Sequence, residues 1–381
     1  MKFSVGREDL LGVLGHANAV SVNKTSGVTI LGYVLMRVGQ SSLSITATDL
    51  EITLKEALPL HGAEPGVAVV HAQTLYEIVR RQPAGKEISF SVNLTDEKAK
   101  VSVRCGRFAT QLVTMDVDEF PDTKTANFTH RFKMPAAEFV SLLTRTRPSI
   151  STEETRYYLN GVYMHVSESD DGLLLNAVST DGHRLTHVYV PAPEGAVHDM
   201  PGAIVPKKTV GEIIRLFGER EDEVTIGVSE TRIEVSAGDV LLVSKLIDGT
   251  FPDYRKVIPN NADREVKLSR GAFSSAIGRV AVLGESRSRA VKVEISDGSV
   301  TLSCLSADAG SATETLDGSD VEAVGSSLVT GFQARYLGDI LGTIEAQDVV
   351  MRFKDSDPSA PIIIQGYGDD PGTYVVMPTR C

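Results

Sequence analysis

Near the start of the chain apolar residues alternate with polar ones, at Phe3 and Val5, and then recur at helical spacing. A period of two followed by one of 3.6 predicts a short strand feeding a helix. The pattern of Lys2–Leu11 returns in Arg131–Val140, where Phe132 and Met134 alternate, and in Glu265–Ser274, where Val266 and Leu268 do. The copies begin 129 and 134 residues apart, dividing 381 residues into three units of about 127. The units agree again in a strand ending on aspartate: Leu43–Asp49, Leu174–Asp181 and Leu302–Asp308. They agree a third time in a strand followed by a helix, over 69–82, 204–217 and 329–342, with apolar pairs Leu75/Ile78, Val210/Ile213 and Leu337/Ile340. Fourth, a meander closes on Phe-Pro-Asp after Glu119 and after Thr250. Each unit reads β-α-β-meander-α-β-meander, a doubled half, and is long enough for its own core. Helices are predicted over 7–18, 72–82, 135–147, 206–217, 269–283 and 333–342.

An apolar fraction of 42% with 23% charged residues is that of an ordinary globular chain. No run approaches the ~20 apolar residues of a membrane span. Arg7, Glu8 and Asp9 interrupt any signal-peptide core, and three scattered cysteines (Cys105, Cys304, Cys381) suit a reducing compartment, so a cytoplasmic location is expected. The net charge of −12 argues against nucleic acid until its distribution is considered: the six predicted helices carry +5, leaving −17 on the rest. If all the helices faced one way, that face would be basic on an acidic body; otherwise these are the charges of any solvated helix.

Nucleotide-binding, zinc-protease, redox and hydrolase motifs are absent. Asp181, His183 and His187 are the one candidate for acid–base or metal chemistry. Asp181, however, occupies a position filled by Asp49 and Asp308 in the other units, which favours a turn-forming role. His183, present in one unit alone, fits binding better than catalysis.

Five segments carry a family resemblance: Met-Lys-Phe-Ser-Val at the start, Arg156–Gly161, Thr180–Leu185, Lys245–Arg255 and Tyr374–Arg380. In order and spacing they resemble the bacterial DNA polymerase III beta subunit, the replicative sliding clamp, over the whole chain. The resemblance implies an α+β fold of three similar DNA-clamp domains, at 1–123, 124–256 and 257–381. It further implies a head-to-tail dimeric ring with helices lining the inside and antiparallel sheets outside. A basic lining would hold duplex DNA without reading its sequence. The family's function is to encircle duplex DNA and tether the polymerase for processive synthesis, without catalysis, cofactor or metal. The partners implied are a second copy, the DNA polymerase III alpha subunit, the clamp loader and other proteins with a clamp-binding motif; no membrane is involved.

Carried over by residue, the partner-peptide groove comprises Arg156, Tyr158, Leu159, Thr180, Gly182, His183, Arg184, Leu185, Pro252 and Val257, joined by Tyr336, Val375, Met377, Pro378 and Arg380 from the third domain. Apolar and Met walls would take an anchor side chain, with His183 and the arginines as donors. The lesser alternative is that Leu159, Leu185 and Val257 are merely core. Thr379, Cys381 and Gln333 depart from the family pattern and bear on peptide preference. The implied DNA contacts are Lys24, Gln73, Arg80, Tyr157, Tyr158, Lys207, Lys208 and Arg215, with Gln73 and Thr25 standing where the family has arginines and Glu153 adding charge of the wrong sign. The expected dimer seam joins Arg104, Arg107 and Phe108 to Phe273 and Ile277. Two other readings stay open: a monomeric peptide-binding scaffold that encircles nothing, and a hydrolase built on Asp181 and His183.

Overall fold

The computed structural model describes residues 1–21, 28–93, 100–121, 127–260, 262–284, 290–306, 308–325, 327–368 and 370–380. Lys24, Thr25 and Cys381 lie outside them.

Each repeat runs strand, helix, three-stranded meander, and then does so again. The first comprises β1 (Lys2–Gly6), α1 (Arg7–Val20), β2 (Tyr33–Val38), β3 (Ser42–Thr48), β4 (Ile52–Pro59), β5 (Gly66–His71), α2 (Ala72–Arg80), β6 (Glu87–Asn93), β7 (Lys100–Cys105) and β8 (Phe108–Val113). The second comprises β9 (His130–Pro135), α3 (Ala136–Thr146), β10 (Gly161–Ser169), β11 (Gly172–Thr180), β12 (Arg184–Pro191), β13 (Ala203–Pro206), α4 (Lys207–Phe217), β14 (Glu223–Val228), β15 (Arg232–Ala237) and β16 (Val240–Lys245). The third comprises β17 (Arg264–Ser269), α5 (Arg270–Val280), β18 (Ala290–Ser296), β19 (Ser299–Ser306), β20 (Gly310–Asp317), β21 (Val321–Ala323), β22 (Leu328–Gln333), α6 (Ala334–Leu341), β23 (Asp348–Phe353), β24 (Ile362–Gly366) and β25 (Gly372–Val376). All six expected helices are present.

The strand that opens each half pairs with the meander of the other half. In the first repeat this gives β1-β6-β7-β8 and β5-β2-β3-β4. The second meander strand set of one repeat then joins the first set of the repeat before it, edge to edge. β4 pairs with β16, with Leu54 opposite Leu242, and β12 pairs with β25, with Leu185 opposite Val375. The outcome is an eight-stranded sheet (β5-β2-β3-β4-β16-β15-β14-β9) and a nine-stranded sheet (β13-β10-β11-β12-β25-β24-β23-β17-β21). Two sheets keep half that width: β1-β6-β7-β8 and β20-β19-β18-β22. The middle repeat therefore contributes to both of the compact units into which the chain packs, 1–137 with 212–246 and 138–211 with 247–381.

The sequence periods explain the cores. Phe3, Val5, Phe132, Met134, Val266 and Leu268 all point inward from their strands. Helix α1 buries Leu10, Val13, Leu14 and Ala17, a stripe at i, i+3, i+4 and i+7. Helix α5 does the same with Phe273, Ala276, Ile277 and Val280. That corrects the expected seam: Phe273 is 0% and Ile277 2% exposed, both within the core of the third repeat and unavailable to another chain. Val282, two residues past the end of α5, is an exposed apolar residue of this region, at 75%.

The two Phe-Pro-Asp segments anchor the connections between repeats. Phe120 is buried with Ile30, Leu31 and Val69, and Phe251 with Leu159, Val178, Leu185, Ile204 and Val375. Burying such a side chain contributes about 2 kcal/mol.

Candidate partner-docking pocket

The turn between β11 and β12 is built by Asp181. Its Oδ1 accepts from the backbone N–H groups of His183 and Arg184, both at 3.0 Å, as expected of a turn-forming aspartate. Gly182 has φ +87°, a conformation that suits glycine. A Cβ there would also stand 2.7 Å from Arg156 Nη1, so the missing side chain lets that guanidinium approach. Arg156 Nε in turn donates to Glu153 at 2.7 Å.

Arg184 is buried and committed. Nε donates to Asp181 Oδ2 at 3.1 Å, Nη1 to Asp339 Oδ2 at 2.7 Å, and Nη2 to the Pro148 carbonyl. Its guanidinium lies 4.5 Å from the centre of the Tyr336 ring, a cation–π contact. Arg184 thus braces α6 against the β11–β12 turn, where the sequence suggested a donor for peptides. The His183 ring is also stacked with that of Tyr336, 6.2 Å away at 17°. Its backbone carbonyl accepts from Met377 N–H at 2.8 Å, which carries the chain after β25 past the turn.

Together these elements enclose a cavity of about 370 Å³. Arg156, Tyr158 and Leu159 come from the 3-10 segment Glu154–Leu159, Thr180 and Gly182–Leu185 from the turn, Pro252 and Val257 from the connection after β16, and Val375 and Met377 from the last strand. Twelve of the fifteen expected groove residues therefore converge. Leu159 and Leu185 are core and floor at once, buried below 5%, whereas Val257 is an exposed rim residue. Tyr336 stands behind His183 and Arg184 outside the lining. Pro378 and Arg380 line a separate groove beside Lys292, Thr330 and Pro358. Asp253 and Tyr254 are lining residues that sequence reasoning missed, although they continue the Phe-Pro-Asp motif. A cavity of this volume, mostly apolar with a few polar groups at its mouth, takes one or two side chains of an extended ligand.

Asp181, His183 and His187 do not form a reactive set. Asp181 is spent on its turn and on Arg184, and the His187 ring bonds Asn176 at 2.8 Å. Among the described residues no group of three potential ligands could hold a metal ion, and no helix is long and apolar enough to cross a membrane.

The other expected positions fall in both units. Gln73 and Arg80 are exposed on α2, where Arg80 pairs with Glu77 at 2.9 Å; Arg215 donates to Glu212 from Nε at 3.0 Å. Much of the positive charge counted on the helices therefore has an acidic neighbour on the same helix. Lys207 and Lys208 open α4 and are exposed, and Tyr157 is exposed against the edge of Tyr158. Phe108 is exposed on the edge strand β8, Arg107 is exposed in the turn before it, and Arg104 is exposed on β7, one strand in from that edge.

Three repeats, sheets fused edge to edge and a side-chain-sized pocket at one junction define a clamp-type architecture. The family models for the N-terminal, central and C-terminal domains of the DNA polymerase III beta subunit match residues 1–124, 133–253 and 255–380. The beta sliding clamp of Caulobacter vibrioides is 37% identical over 380 residues, covering all of both chains. A crystal structure of the DNA polymerase III subunit beta of Bartonella birtlesii bound to griselimycin superposes with a TM-score of 0.93 at 39% identity, again over all of both chains. That of Pseudomonas aeruginosa, also bound to griselimycin, gives 0.91 at 31%, with the same coverage. The chain belongs to the DNA polymerase III beta subunit family, and its function is that of a DNA sliding clamp.

Proposed function

We propose that the chain acts as a closed, head-to-tail ring of two copies that encircles duplex DNA and holds replication partners by short peptides. The observation that carries the ring is the strand order. Within the chain, the first meander of one repeat is joined to the second meander of the next, at β4–β16 and β12–β25. The rule leaves two meanders without a mate: the second of the first repeat, ending in β8, and the first of the third, ending in β20. A second copy supplies the missing mate for each, and exposed sheet edges are otherwise a liability. Phe108, 41% exposed, and Arg107 lie at one edge with Arg104 on the adjoining strand β7, and Glu314 and Asp317 lie on the other. Val282 stands in for Phe273 and Ile277 on the β20 side. The three domains would span 1–123, 124–256 and 257–381.

Phosphate contacts fall to Lys207, Lys208, Tyr157 and Tyr158, with Arg80 and Arg215 contributing beyond their acidic neighbours, and Lys24 and Gln73 at further family positions. Such contacts carry no base information. The pocket is the docking site for segments of the DNA polymerase III alpha subunit, the clamp loader and other clamp-binding proteins. The role is non-catalytic and cytoplasmic, and needs no cofactor.

The test is retention. The loaded protein should remain on nicked circular DNA and slide off once the circle is cut. Phe108→Asp should sediment as a folded monomer, since a charge placed in a desolvated seam costs several kcal/mol. A folded Phe108→Asp variant that stays dimeric and topologically retained sinks this seam. A wild-type monomer would favour a peptide-binding scaffold instead.

A further inference from the structure

Tyr254, one wall of the pocket, is gripped from behind by groups that line no part of the cavity. Its hydroxyl lies 3.1 Å from His165 Nε2, and its ring 5.8 Å from that of His165 and 5.1 Å from that of His187. Tyr163 stacks on His165 at 4.8 Å and on Phe251 at 4.9 Å, so the connection Phe251–Tyr254 is seated at both ends on the face of β10 and β12.

Proton positions follow from the partners. The Asn176 amide nitrogen donates to Ser167 Oγ, Leu174 O and His165 O at 2.9, 3.0 and 3.3 Å, which leaves its oxygen as acceptor. His187 therefore carries its proton on Nε2 and donates to that oxygen at 2.8 Å. His165 Nδ1 faces the Val166 carbonyl at 3.3 Å and donates to it, so Nε2 is bare and accepts from the Tyr254 hydroxyl. His187 is on the same strand face as Leu185, two residues from the pocket floor.

We propose that His165, backed by Asn176 and His187, is a positioning residue for docking: it holds Tyr254 against the pocket and so sets how tightly a peptide is gripped. This rests on the docking reading of the pocket given above.

The latch closes with His165 neutral. The groups facing it are Tyr163 on its own strand, Asn176 on β11, His187 on β12, and Tyr254 and Arg255 of the connection; Asp253 bears on Tyr254. Burial, and then Arg255, hold His165 below the usual histidine range. Burial, His165 and Arg255 together push His187 down to about 4. Both depressed values mean that the folded protein keeps the pair neutral below pH 6.5, for His187 down to about 4; the stability this contributes is complete above 6.5 and is lost as pH falls from there towards the folded values. A proton on His165 Nε2 displaces the Tyr254 hydrogen bond.

The probe is a fluorescein-labelled peptide copied from the C-terminus of the organism's DNA polymerase III alpha subunit, titrated with the full-length protein between pH 7.5 and 5.0. His165→Ala and Tyr254→Phe should each weaken binding about tenfold, and the double variant no further. His165→Gln keeps an acceptor that does not titrate. It should bind near the wild-type level at pH 7.5 and lose the part of the acid weakening that wild type shows. His165→Ala within twofold of wild type, or His165→Gln with the wild-type pH profile, overturns the positioning role while Met377→Ala still abolishes binding. If Met377→Ala and His183→Ala also bind at full strength, the docking reading falls, and this one with it.

Discussion

In both the first and the second repeat an aspartate at the end of a strand turns the chain into the edge strand of a meander. Asp49 Oδ1 accepts from Glu51 N–H at 3.0 Å and Ile52 N–H at 2.6 Å, as Asp181 does from His183 and Arg184. The next residue has positive φ in each case, 74° at Leu50 and 87° at Gly182. The incoming strand meets both turns alike, through Lys245 N–H to Glu51 O at 2.9 Å and Met377 N–H to His183 O at 2.8 Å. The backbones are copies, and the side chains are not. At the first junction Lys245 and Glu51 form an ion pair at 3.0 Å, and Ile52 is buried. At the second, Met377 and His183 face a cavity, Arg184 braces α6, and the glycine admits Arg156. The second junction holds a pocket where the first has an ion pair, on a backbone turn of the same form.

Exchanges between the two junctions test that lesson. Replacing Arg184→Ile, its counterpart, should have the largest effect. Asp181, Asp339 and the Pro148 carbonyl lose their shared donor, at about 3 kcal/mol of stability, read by denaturant unfolding. A loss under ~1 kcal/mol would mean the brace carries little. Moving the ion pair across, as His183→Glu with Met377→Lys, should weaken alpha-subunit peptide binding about thirtyfold, or ~2 kcal/mol, with sedimentation unchanged. Unaltered affinity would take both residues out of the docking surface. Leu50→Gly should do least. Relief of the left-handed backbone at ~1 kcal/mol is offset by glycine's greater freedom in the unfolded chain, leaving a gain of about 0.5 kcal/mol. A destabilised variant would show that the exposed Leu50 side chain has a packing role.

The repeat and its six helices were legible because periodicity is local: a stripe such as Phe273, Ile277 and Val280 announces a helix and its buried face. That stripe also buries Phe273 and Ile277, the residues expected at the seam. The pocket was legible through the family pattern, since its residues fall in four short segments. Tyr254 was not, because its place depends on where the connection after β16 lands on a sheet formed from two repeats. Nor was the commitment of Arg184, whose partners Pro148 and Asp339 lie 36 and 155 residues away. The exchange of opening strands between half-repeats is likewise a long-range choice that no local pattern encodes.

The edge-to-edge sheet junctions differ in one respect that no hydrogen bond records. β4 and β16 belong to one covalent chain, as do β12 and β25, so each pair meets at an effective concentration fixed by the polypeptide between them and not by how much protein is present. In the proposed ring, a junction of the same kind between β8 of one copy and β20 of the other has no covalent tether: when one seam parts, only the second seam keeps the mate close, and once both part reclosure answers to the bulk concentration of protein. Equal ladders then part unequally: a torn internal junction is held for reclosure by the chain itself, while the mate at a parted seam is held only by the other seam. Where such an assembly comes apart is decided by chain connectivity rather than by the strength of its contacts.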